Sequence, residues 1–133
     1  MELKPKKKDI QNLDDIKKLV NNFYVKVVPD ELIGWIFEDI AQTDWTHHLP
    51  KMYDFWESML LGANSYYGNP MIRHIELDKE ARLLPEHFAR WKELFFETVD
   101  EYFEGPIGLK AKERAESIAG IMENKIKLNR QVD

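Results

Sequence analysis

Cysteine is absent from this chain of 133 residues, which removes disulfides, thiolate metal sites, iron–sulfur clusters and cysteine nucleophiles together. Long apolar runs are missing as well. None approaches the roughly 20 residues that span a bilayer, and the N-terminus lacks the apolar centre of a signal peptide. A soluble, cytoplasmic protein with no membrane partner is therefore expected. An excess of positive charge is lacking too. With 19 basic and 24 acidic residues the formal charge is −5, which argues against displacing counterions from nucleic-acid phosphates. Neither alternating strand patterns nor internal repeats occur. The His-Glu-x-x-His pattern of zinc helices and the paired Glu-x-x-His of di-iron bundles are absent, which leaves a non-haem metal enzyme little to stand on.

Aromatic side chains are abundant: 12 % of the chain, with four Trp, five Tyr and seven Phe. They could line a flat ligand or simply fill a small core, since each buries a large area. Helical periodicity is the other dominant signal. Leu13, Ile16, Val20, Phe23 and Val27 recur at steps of three and four, and Pro29 stops that helix. A short segment follows around 32–37, then a strongly helical stretch over 45–61. Gly62 and residues 64–70 read as a loop, with a brief apolar piece at 71–77 and a charged stretch at 78–82. Pro85 opens a helix carrying Phe88, Trp91, Phe95, Val99 and Tyr102. After Gly105, Pro106 and Gly108, a last helix shows Ala111, Ala115, Ile118, Met122 and Ile126. The pattern predicts an all-α fold in one domain over 1–133, with 1–9, which includes Lys4 and Lys6 to Lys8, as a flexible basic tail.

The four histidines are the best neutral nitrogen ligands available. His48 is in helical register with Met52, Phe55, Trp56 and Met59, on the apolar face. His47, rotated by about 100°, aligns with Lys51, Asp54 and Ser58. Pro50 disfavours helix at Leu49, so the helix is expected to begin near Leu49, with His48 at its entrance. His74 sits in a short apolar piece, and on its residues alone it reads as a satisfied core histidine more readily than as a ligand. His87, beside Glu86, reads as a surface residue.

Taken in order, several blocks resemble one family. They are Phe23-Tyr24, Ile36-Phe37, Trp45-x-x-His48, Phe55-Trp56 and Met59-Leu60-Leu61-Gly62, then Tyr67-Gly68-Asn69-Pro70, His74, Leu77 and His87-Phe88-x-x-Trp91-x-x-Leu94-Phe95. Together they resemble the truncated haemoglobins, and among these the third group, over about 16–102. The absence of Gly-Gly pairs agrees with that group. The resemblance implies a globin-like two-over-two helical sandwich around haem b, with His74 as the proximal iron ligand. It implies Tyr24, His48 and Trp91 on the distal side, Phe23, Phe37 and Phe55 as cofactor-contacting walls, and Lys51 and Arg73 near the propionates.

A tyrosine hydroxyl, an indole N–H and a suitably protonated imidazole can each donate to a ligand gaining negative charge. Three such donors imply a site that holds or activates dioxygen, nitric oxide or peroxide rather than one that releases dioxygen freely. Peroxidase-like or nitric oxide dioxygenase-like activity would then need an external reductase, because the chain has no flavin or nicotinamide domain. Two other readings stay open: His48 as a second iron ligand, giving a bis-histidine electron-transfer or sensing protein, and a cofactor-free helical interaction module.

Overall fold

The computed structural model describes residues 7–36, 45–62 and 83–132. Among them four α-helices and no strands occur: α1 (Leu13–Val27), α2 (Trp45–Leu61), α3 (Pro85–Tyr102) and α4 (Pro106–Val132). The expected loop at 64–70 and the segments 71–77 and 78–82 lie outside the described residues, as do Phe37, Arg73 and His74.

α1 starts where its sequence supplies a cap. The Asn12 side chain accepts from the Asp15 N–H at 3.0 Å, and Asp15 accepts from the Gln11 N–H at 2.9 Å. Ile16, Leu19, Val20, Phe23, Tyr24 and Val27 then bury one continuous face. The helix packs against both α2 and α3. α3 packs in turn on α4, whose buried residues Ala111, Ala115 and Ala119 are small enough to let the two helices approach closely. The pair α1–α2 against α3–α4 is the two-over-two arrangement, and all four contribute to one core centred on fully buried Phe95.

The start of α2 differs from expectation. Helix begins at Trp45, so Pro50 lies inside it rather than in its first turn. Pro50 has no N–H to give to the carbonyl four residues back, so one helical bond is missing there. The favourable face from Trp45 to Leu60 outweighs that loss.

The last residues of the expected basic tail are tied to the fold. The Lys7 amine donates to the Asp100 carbonyl, Glu104 N–H donates to the Lys8 carbonyl at 3.1 Å, and Lys8 pairs with Asp15 at 3.4 Å. Asp9 accepts from the N–H groups of Ile107 and Gly108, both at 2.8 Å, and so caps α4 from the far end of the chain. Gly105 explains why a distant residue does this. It occupies the capping position of α4 at φ +148°, and a Cβ there would lie 2.5 Å from the Asp9 side chain. A residue able to cap α4 locally would not fit.

Candidate functional site

Tyr24 reaches across from the buried face of α1 to half-buried His48 on α2, with 2.9 Å between the phenol oxygen and Nε2. Trp45, one turn before His48, closes edge-on against both rings, with centroids 5.0 Å from Tyr24 and 5.5 Å from His48. Burial pushes the Tyr24 hydroxyl well above the usual phenol range, so it keeps its proton. The sense of the bond depends on the imidazole tautomer. With the proton on Nδ1, Tyr24 donates to His48. With it on Nε2, His48 donates to the phenol oxygen and the phenol O–H turns to another acceptor.

α2 carries two neighbouring apolar stripes. Trp56 and Leu60 are 4 % and 3 % exposed and belong to the core. His48, Met52, Phe55 and Met59 share an adjoining face at steps of four, three and four, and all remain half-buried. α3 adds half-buried Trp91, edge-on to Phe23 at 5.9 Å and stacked on Phe95 at 5.8 Å. Phe95 stacks in turn on Trp56 at 4.8 Å. The indole N–H of Trp91 makes no hydrogen bond to a described residue.

Of the residues expected at the site, the structure thus brings Tyr24 and His48 into direct contact, with Phe23 and Trp91 beside them. Phe55 lies on the half-buried stripe, and Lys51, exposed, stands one turn before it on the same flank. His47 is exposed. Phe37, Arg73 and His74 lie outside the described residues.

His87 does more than the surface reading allowed. Its Nδ1 accepts from the Leu84 N–H at 2.9 Å, capping α3, while its ring rests edge-on to Trp35 at 5.8 Å. A side-chain acceptor three residues into a helix is the place where a capping box puts Glu or Gln, and that spacing was a usable signal.

A partly covered apolar stripe beside a part-buried hydroxyl–imidazole pair suits a flat, largely apolar group with one polar face, and the described residues fit a haem in that respect. Residues 10–124 match the family model of the bacterial-like globins, and the chain belongs to that family. Such a protein is a haem-binding globin. Within the family the similarity is to the third group of truncated haemoglobins. A group 3 truncated haemoglobin of Campylobacter jejuni is 33 % identical over 116 residues, 85 % of this chain and 89 % of that protein. The crystal structure of a group III truncated haemoglobin from Campylobacter jejuni superposes with a TM-score of 0.76 at 30 % identity, covering 95 % of both chains. A 2/2 haemoglobin from Synechococcus sp. PCC 7002, solved in the cyanomet state with covalently attached haem, shares the fold at a TM-score of 0.71 and 22 % identity, over 88 % of this chain and 93 % of that one. Among the described residues no helix is long and apolar enough to cross a membrane.

Proposed function

We propose that this globin holds haem b through His74 in a five-coordinate state and uses Tyr24, His48 and Trp91 to retain a small diatomic ligand for redox chemistry. Dioxygen, nitric oxide and peroxide are the ligand class, and electrons come from a separate reductase in the cytoplasm. The observation that carries the reading is the 2.9 Å Tyr24–His48 contact set against a half-buried apolar stripe. Haem, when bound, supplies an iron centre that takes up small ligands and exchanges electrons.

The chain's own residues do the rest. Phe23, Phe55, Met52 and Met59, with Phe37, exclude water from the slot. Lys51 and Arg73 offer positive charge to the propionates. Tyr24 stays protonated because it is buried, and so remains a donor at every ordinary pH. A donor aimed at an atom that gains negative charge slows release of the ligand that bears it. Because His48 Nε2 is engaged with Tyr24, coordination by His48 would have to break that contact, which supports an open sixth position over the bis-histidine reading.

Titration with haemin tests the whole reading. The parent should develop a Soret band and, once reduced with dithionite in the absence of gas, a five-coordinate ferrous spectrum, and His74→Ala should weaken or lose the band. A colourless parent that ignores haemin would leave only a helical interaction module.

A further inference from the structure

An ion pair at the junction of α1 and α3 has no part in the chemistry described so far. The Asp30 side chain, just past the end of α1, is only 7 % exposed. Its Oδ2 accepts from the N–H groups of Leu32 and Ile33, each at 3.1 Å. Its Oδ1 accepts from Arg90 on α3, at 2.8 Å from Nε and 2.7 Å from the terminal nitrogen. The turn that Asp30 begins has little freedom on its other side. Gly34 stands so close to the end of α1 that an added Cβ would lie 2.3 Å from the Val28 carbonyl oxygen. Trp35, at the far end of the turn, donates to the Leu32 carbonyl at 2.7 Å and rests against His87.

The turn therefore grips α3 at two places, Arg90 and His87. Both precede Trp91 on the helix, Arg90 as its immediate neighbour and His87 a full turn before it. A guanidinium held at two nitrogens by a fixed carboxylate restrains rotation as well as distance. At the radius of a helical side chain, about 10° of rotation moves an indole tip by about 1 Å. Hydrogen bonds and oriented donors are sensitive to displacements of that size.

We infer that Asp30, acting through Arg90, is a positioning residue for Trp91, holding the rotation of α3 at which the indole N–H meets the pocket. The inference rests on the reading of Trp91 as a ligand donor. Asp30→Asn keeps an acceptor for Leu32 and Ile33 but loses the charge that holds Arg90. Arg90→Lys keeps the charge and loses the fork, and it serves as the second variant should Asp30→Asn fail to fold.

The test uses haem-loaded protein under carbon monoxide, labelled with 5-fluorotryptophan, each fluorine resonance being assigned by a Trp→Phe variant. The Trp91 resonance should shift in both positioning variants while that of Trp45 stays in place. Dioxygen release should quicken about fivefold in the parent background and hardly at all in a Trp91→Leu background, the non-additivity expected of coupled residues. A stationary Trp91 resonance, or the same fivefold change without Trp91, overturns the inference. If Trp91→Leu alone leaves release unchanged, the donor role fails, and the fluorine shift still decides whether Asp30 positions the ring.

Discussion

Two of the polar clusters among the described residues are built on opposite lines. At the α3–α4 corner, Asp9 is an acceptor facing backbone N–H groups: those of Ile107 and Gly108 at 2.8 Å and of Ile10 at 2.9 Å. A carboxylate so placed has one way to bond, and what it gives the protein is a fixed chain end. Between α1 and α2, Tyr24 and His48 are each donor or acceptor according to where one proton sits. The first cluster is structural because its chemistry offers no choice. The second can respond to a ligand because its chemistry does.

The sharpest test of that contrast begins between the two clusters. Phe95→Ala removes the fully buried ring stacked on both Trp56 and Trp91, so it should cost about 4 kcal/mol and disturb core and pocket together. Chemical unfolding and haem absorption, followed on one sample, would read both effects. Asp9→Ala should cost about 2 kcal/mol, from lost capping of α4 and part-buried amides left without an acceptor. Its dioxygen release should match the parent, and a changed rate would dissolve the separation of corner from pocket. Tyr24→Phe should do the reverse, speeding dioxygen release about tenfold with the unfolding midpoint nearly kept; stopped-flow replacement by carbon monoxide measures it.

The smallest expected effect concerns pH. Burial alone would raise the Asp30 carboxyl, but Arg90 and the N–H groups of Leu32 and Ile33 outweigh it and hold it below the usual range. A carboxyl depressed in the folded state contributes stability above its unfolded pKa of about 4 and loses it as pH falls through the folded value. The gap in unfolding midpoint between the parent and Asp30→Asn should thus be full at pH 6 and narrow below about pH 4.

Much of the architecture was legible in the residues because apolar spacing reports directly on buried faces. Ile16, Val20, Phe23 and Val27 on α1, and Phe88, Phe95 and Val99 on α3, are buried in the register their sequence spacing gives. On α2 the apolar spacing over 45–61 matches the helix, whereas the start near Leu49 that Pro50 suggests does not hold, because the local cost of a proline is weighed there without the tertiary face that repays it. For the pocket, the same spacing separates His48 from exposed His47, but it could not show that His48 meets Tyr24, a contact between residues 24 positions apart. Asp9 and Asp30 were invisible for a similar reason. Their partners lie on helices that begin far along the chain, and a lone acidic residue beside a helix end has no period to betray it. Trp45 belongs to one of the ordered blocks, but only the fold sets it against both pocket rings.

The cap that Asp9 places on α4 also makes two backbone amides into clocks. Ile107 and Gly108 occupy the first turn of a helix, where amides usually lack a partner and trade their hydrogen with solvent freely. Here that trade waits until the N-terminal arm lifts away. Their exchange rates therefore time the opening of the arm alone, separately from the unfolding of the helices that enclose the pocket.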